Sequence, residues 1–376
     1  MHTVAVRSAG TAARRGLSGA WCALAALIGI GVLVPSGAAR AANEVACTPV
    51  GEMHFVCDAY NVEDWAPVPG TKWVFGADLA AKPPGNLQLF DTATRTVRQI
   101  APSQIAVKFD KQRFPDCPSP LDLDKMISHG LDLTPPKGGR ATLYVVNHGT
   151  RDSVEAFDVD QTGAEPKLTW VGCAVAPHTF WPDAVASLPD GGMVVTSLWD
   201  PTDPNRVQKL SKGEPVGALD YWHAGKGWTP VPGSEGMSGP NGVIVTPDGK
   251  TIYIGVWSGH SITRITPGGE KPEVKSVPTG ILTDNLRWSP GGKEIYAGGQ
   301  AATVKAVLAC FESSKVNCPE IPFMVYGMDP ETMKLTVLVP KGSHGEMGAG
   351  TGAIRVGDTL WLSSFRADRI GIYPLK

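Results

Sequence analysis

Five segments of the chain place acids, amides or a histidine at a recurring distance from a turn. Glu63-Asp64 stands in NVEDWAPVPG, His129 in SHGLDL, Asp183 in WPDAVASLPDG, Asn241 in SGPNGVIVTPDG and Asp284-Asn285 in LTDNLRWSPGG. Each group lies some five to ten residues ahead of a Gly- or Pro-rich turn. Carboxylate and amide oxygens gathered on one axis would form a hard oxygen cage, suited to Ca²⁺ or another hard divalent ion rather than a thiolate-seeking metal. Buried together without a cation, the same carboxylates would repel one another. Asp and Asn also cap turns, and Glu63 taken alone reads equally as a solvated acid; recurrence at one phase is what favours the ligand set. His129 shares that phase, while His148 directly follows the apolar run LYVVN and sits at a strand end. A histidine pair beside a metal could serve as general base for water, although a lone histidine is more often a hydrogen-bonded structural residue. No G-x-S-x-G elbow is present, so a serine nucleophile has little support.

The elements that must position these groups repeat with them. TPDGKTIYIGVW, from Thr246 to Trp257, joins a tight turn to an alternating strand that points Ile252, Ile254 and Val256 to one face. Related units begin at Val68, Pro135, Leu188, Ser289 and Arg355, and the last has only Gly350, Thr351 and Gly352 upstream. Equivalent strand positions fall at Val74, Tyr144, Val194, Tyr253, Tyr296 and Trp361, at intervals of 70, 50, 59, 43 and 65 residues. Four short strands with their turns need about 40 to 50 residues, so each interval holds one propeller blade with insertions. The expectation is an all-β, six-bladed β-propeller with a central metal-binding tunnel, against the alternative of an irregular sandwich. In a propeller the residues ahead of each turn-strand unit line the top of the channel, so the candidate groups converge there. The longest insertions, residues 91–128 and 201–237, are expected to cover that face.

Composition agrees with a turn-rich fold. Gly supplies 44 and Pro 32 of the 376 residues, only 19% are charged and 42% are hydrophobic, which excludes coiled coils and polyelectrolyte tails. The formal charge is −2, and no Lys/Arg cluster interleaves with aromatics, so a nucleic-acid partner is not expected. Residues 1–41 read as a secretory signal peptide: Arg7, Arg14 and Arg15 precede a 15-residue apolar run, Ala20 to Val34, and Ala39-Arg40-Ala41 precedes a cleavage point. The run is short for a membrane span. A single mature domain over residues 42–376 would carry 30 basic against 36 acidic residues, a net of −6, and would be exported to a periplasmic or extracellular space. Its six cysteines contain no C-x-x-C pair, which favours disulfides over zinc. The near pairs Cys47/Cys57 and Cys310/Cys318 could each staple a short loop and leave Cys117 with Cys173, one of fifteen possible connectivities.

The segments SHGLDL, LYVVNH, GPNGVIVTPDGKTIYIG, LTDNLRW and GTGAIRVGDTLWLSSFRADRIGIY together resemble the paraoxonase/arylesterase family of lactonases. That family falls within the wider six-bladed group of gluconolactonases and regucalcin, and the similarity runs with gaps from Val62 to Tyr373. The resemblance implies a catalytic and a structural calcium ion in the tunnel, and hydrolysis of lactones with side activity on aryl esters. It assigns Glu63, Asn241, Asp284 and Asn285 to the catalytic ion, and Asp64, Asp183 and the carbonyl of Leu131 to the structural one. It makes His129 and His148 a dyad, with His129 nearer the water. Two positions depart from the family pattern: Pro182 stands where an Asn ligand is usual, and Gln300 where related lactonases often place a histidine near the pocket. Trp65, Trp181, Trp199 and Phe180 lie beside the ligand segments and read as blade packing ahead of a pocket wall. Two functions follow as expectations: a calcium-dependent hydrolase of small-molecule lactones or aryl esters, or a non-catalytic metal-stabilised propeller that binds a ligand or protein.

Overall fold

The computed structural model describes residues 47–80, 84–268, 270–342, 344–345 and 347–375; the expected signal peptide, residues 1–41, lies outside them. Short strands of two to nine residues separated by turns make up most of the regular structure described, because the apolar runs are too short for long helices. The first strand, β1 (His54–Cys57), precedes the first blade of β2 (Trp65–Pro67), β3 (Trp73–Gly76), β4 (Gln88–Asp91) and β5 (Thr96–Gln99). The second blade has β6 (Ala106–Val107) laid along the outer edge of β7 (Ser128–Leu133), β8 (Arg140–Asn147), β9 (Ser153–Asp160) and β10 (Lys167–Val175). In the third, helix α1 (Arg206–Lys212) interrupts β11 (Pro182–Ser187), β12 (Met193–Ser197), β13 (Ala218–His223) and β14 (Gly227–Pro230). The fourth comprises β15 (Pro240–Val245), β16 (Ile252–Val256), β17 (Ser261–Thr266) and β18 (Glu273–Pro278). The fifth carries α2 (Val304–Phe311) between β19 (Leu282–Trp288), β20 (Ile295–Gln300) and the pair β21 (Phe323–Met328) and β22 (Leu335–Gly342). The sixth is β23 (Gly350–Val356), β24 (Thr359–Ser364) and β25 (Arg369–Pro374), completed by β1. The expected six-bladed propeller is the fold, and its N-terminal strand closes the ring by covering the edge of the last blade.

The recurrent turn has a local cause. In Thr246-Pro247-Asp248-Gly249 the Gly249 amide donates to the Thr246 carbonyl at 2.7 Å, and Asp248 Oδ1 accepts from the Lys250 amide at 3.1 Å. Gly249 adopts φ +71°, which a side chain would strain. The second strand of the third blade, Met193–Ser197, is buried throughout, whereas the outer strand of the fourth, Glu273–Pro278, is mostly exposed.

The ring seam is aromatic. Trp65 and Phe90 of the first blade and Trp361 of the sixth meet edge to face, with centroids 5.1, 6.1 and 6.4 Å apart. All three expected disulfides are formed: Cys47–Cys57, Cys117–Cys173 and Cys310–Cys318. Such a set belongs to an oxidising compartment. No helix among the described residues is long and apolar enough to cross a membrane.

Candidate functional site

Five inner strands share one irregularity. Between Ser128 and Leu131, Pro182 and Val185, Pro240 and Val243, Thr283 and Leu286, and Gly350 and Ala353, each inner strand advances three residues while its partner advances two. This is a β-bulge, which breaks the alternation of faces and re-aims a side chain. The bulged residues are His129-Gly130, Asp183-Ala184, Asn241-Gly242, Asp284-Asn285 and Thr351-Gly352, the segments singled out above. In the first blade Glu63 and Asp64 stand just ahead of β2. Glycine after the functional residue lets adjacent inner strands close on the axis. A Cβ on Gly130 would lie 2.4 Å from the Asp183 carbonyl oxygen, and one on Gly242 would lie 2.5 Å from that of Asp284.

Glu63, His129, Asp183, Asn241 and Asp284 meet at a cavity of about 60 Å³. All are buried, none more than 6% exposed. Three of their oxygens, Glu63 Oε2, Asn241 Oδ1 and Asp284 Oδ1, are shut from water with no hydrogen-bond partner in the described structure. Polar atoms are rarely buried in that state without a ligand to satisfy them. Burial, then the charges of Asp284, Asp64 and Asp183, holds the Glu63 carboxyl well above its ordinary range. Burial, then Asp284 and Asp64, does the same to Asp183, and burial pushes Asp284 up to about 7. A hard cation would remove this cost and take up the orphaned oxygens, so the donor set fits one. Among the described residues, however, no three His, Cys, Asp or Glu side chains are drawn together at metal-binding separation. The set is a mixed carboxylate and amide ring around an open space. Asn285 lies beneath it and donates to Glu63 Oε1 at 2.6 Å and to the Glu63 carbonyl at 3.0 Å.

The histidines form a relay. His129 Nδ1 is 3.0 Å from His148 Nε2, and His148 Nδ1 is 2.7 Å from Asp152 Oδ1. A carboxylate only accepts, so His148 Nδ1 carries the proton and its Nε2 accepts from His129 Nδ1. The lone pair of neutral His129 is thereby placed on Nε2, which faces Glu63 Oε2 at 3.5 Å. Burial, and secondarily His148, keeps the His129 imidazole well below its usual pKa and so uncharged at neutral pH. Trp181 stacks on His148 at 4.3 Å and 12° and lies 5.1 Å from Trp199.

The position expected for a second ion has different contents. Arg287, on the same inner strand as Asp284, donates from Nη2 to Asp64 Oδ2 and, at 2.6 Å, to the Leu131 carbonyl. Its Nε donates to the Trp65 carbonyl at 2.9 Å. Asp64 is further held by the amides of Trp65 and Leu131, each at 2.8 Å. Asp183, grouped with Asp64 by the family pattern, lines the cavity with Glu63 and Asp284 instead.

Several residues fall differently from their reading in sequence. Gln300 is fully buried behind Asp284, donating to its Oδ2 at 2.6 Å and accepting from Trp257 Nε1 at 2.8 Å, so it braces the ring and does not line the cavity. Trp181 and Trp199 are wall residues, whereas Trp65 packs in the seam and Phe180 against Trp228. Residues 105–117 brace the second blade: β6 pairs with β10, and Phe114 lies over Gly172 and stacks on Trp222 at 5.8 Å. The cover comes partly from α2, whose Leu308 and Phe311 line the cavity with Leu79, Leu198, Trp257 and Phe365. The sequence reading does not include Asp152, Arg287 or α2. Asp152 is the acid four residues after His148, and α2 has a local signature in Thr303 as N-cap ahead of Val304, Val307, Leu308 and Phe311 at helical spacing, whereas Arg287 carries no local signal.

No protein-family model and no curated protein matches the chain. Among solved structures, the luciferin-regenerating enzyme is similar with a TM-score of 0.51 at 11% identity, over 88% of this chain and 95% of that one. A structural-genomics protein of unknown function from Bacteroides thetaiotaomicron VPI-5482 is similar with a TM-score of 0.50 at 11% identity, over 86% and 76%. At this identity the likeness is one of fold, and it agrees with the propeller built above.

Proposed function

We propose that the protein is an exported, calcium-dependent hydrolase of small-molecule lactones or aryl esters. The observation that carries this reading is the pairing of three orphaned buried oxygens with a neutral imidazole whose lone pair faces them. Glu63, Asn241, Asp284 and Asp183 would hold the ion, with Asn285 and Gln300 fixing Glu63 and Asp284. When bound, Ca²⁺ would supply Lewis-acid polarisation of the carbonyl and stabilise the charge that develops on its oxygen. His129 takes the proton of the attacking water at Nε2, leaving a cation that His148 and Asp152 stabilise through the relay. Trp181, Trp199, Leu308 and Phe311 exclude bulk water, which strengthens these interactions. No covalent enzyme intermediate is needed. The disulfides and the arginine-led apolar N-terminus of the sequence support export.

The test is hydrolysis of a panel of lactones and aryl esters by the purified protein, stripped of metal and then reloaded with calcium. Turnover is expected with calcium, loss with chelator, and a fall in kcat/KM of at least about 100-fold in Asp284→Ala. If the folded, metal-replete protein hydrolyses none of them, the enzyme reading fails. One feature favours the alternative of a non-catalytic propeller: Pro182 offers no side-chain oxygen where the family pattern has a ligand. In that case chelation lowers Tm with no activity to lose.

A further inference from the structure

We infer that the Arg287 guanidinium is a built-in replacement for a second metal ion, so that the protein takes one divalent cation where the family pattern has two. The inference shares its tunnel with the proposed cage but stands on separate contacts. Three inner strands that no ladder joins are tied at one point: Arg287 of β19 reaches Asp64, just ahead of β2, the Trp65 carbonyl of β2, and the Leu131 carbonyl of β7. The Asp64 carboxylate and Leu131 carbonyl it binds are two of the three oxygens assigned by resemblance to a structural ion. Asp64 spends its remaining capacity on the two amides already described. The arginine side chain is only 11% exposed and Asp64 only 1%, so the charge pair is withdrawn from water and set across the tunnel.

A divalent ion cannot share this position. At the 2.3–2.6 Å typical of calcium–oxygen bonds, an ion on Asp64 Oδ2 and the Leu131 oxygen would sit against the guanidinium nitrogen bound to both. Two cations at that separation in a buried site repel strongly. The planar fork suits the task, because its separate nitrogens serve oxygens lying in different directions. Asp183, the third expected ligand, is then released to face the cavity, where it can compensate for the oxygen that Pro182 does not supply. The count of ions and the choice of cage ligands thus both follow from one side chain.

The experiment compares wild type, Arg287→Met and Arg287→Lys, each stripped with EDTA and then equilibrated with calcium, reading bound metal per chain and Tm. Wild type should bind one ion per chain. Arg287→Met should lose about 5–10 °C of Tm in EDTA, because Asp64 is left buried and unpaired, and should gain a second ion that restores most of the loss. Arg287→Lys keeps the charge while losing the fork, so it should stay at one ion with a smaller fall in Tm. Two ions in wild type or in Arg287→Lys, or an unchanged Tm in Arg287→Met, overturn the inference. If wild type binds no ion at all, the cage reading fails alone, and the Tm of Arg287→Met in EDTA still decides the role of Arg287.

Discussion

At the scale of single residues the site is dominated by the cost of placing like charges out of water. Glu63, Asp183 and Asp284 are buried within one ring, and without a cation their protonated forms are favoured in the folded state. The unfolded chain ionises these groups near pH 4. Their contribution to metal-free stability is therefore fully present below about pH 4 and is lost as pH rises through the folded values, about 7 for Asp284. A cation needs them ionised, so its affinity rises over the same interval. Calcium is expected to raise Tm more at pH 8 than at pH 6, with an apparent affinity about tenfold or more higher at pH 8. A calcium-induced shift in Tm that stays constant across that range would remove the coupling. The relay runs from burial to solvent: His129 is kept neutral by burial, and Asp152, at the far end, is 40% exposed.

At the scale of elements, the bulge turns a strand into a ligand-bearing device. A regular inner strand would send alternate side chains toward the two neighbouring blades; the extra residue lets one group point along the tunnel instead. The following glycine is required wherever the next strand passes closest, and Gly242 is the clearest case. Its substitution by alanine would set a Cβ 2.5 Å from the Asp284 carbonyl oxygen and 2.6 Å from the Asn285 Cα, both on backbone that cannot swing aside. Gly242→Ala should cost about 1–3 kcal/mol of stability by chemical denaturation, with weakened metal binding as Asp284 is displaced. A variant within about 0.5 kcal/mol of wild type would show that these strands yield more easily than their packing implies. Helix α2 shows another use of an element. Its Cys310 is tied to Cys318, and its C-terminal Phe311 carbonyl accepts from Arg366 at 2.6 Å, which holds Leu308 and Phe311 over the cavity.

At the scale of the molecule, a closed ring distributes the polar groups of the site over five of its six blades, so integrity of the ring sets integrity of the site. Closure depends on β1 joining β25 and on the Trp65–Phe90–Trp361 contact between first and last blades. Trp361→Ala removes the sixth blade's ring from the seam, where it is buried against Trp65 and Phe90, and should cost about 3–5 kcal/mol, read as a shift in denaturation midpoint. Metal binding should weaken with it, since Glu63 enters from the first blade and would lose its fixed position. An unchanged midpoint would mean that the seam is held elsewhere.

The sequence by itself determined the number of blades and the phase of the ring. Both are consequences of local chemistry: a Pro-Asp-Gly turn forces a reversal, an alternating run forms a strand, and a candidate group at a fixed distance ahead of the turn recurs at a fixed place in the blade. The same logic made Glu63, His129, Asp183, Asn241 and Asp284 legible, because each is positioned by its own strand. Only the tertiary structure decided how charges from different blades are shared. Arg287 lies two residues after Asn285 and in sequence is an ordinary strand arginine; its target, Asp64, is 223 residues away. Gln300 reads as a pocket residue until its two ends are seen spanning Asp284 and Trp257. Local patterns are fixed by backbone sterics and by neighbours a few residues apart, whereas pairing of buried charge depends on which groups the closed ring brings within a few ångströms, and no single segment carries that information.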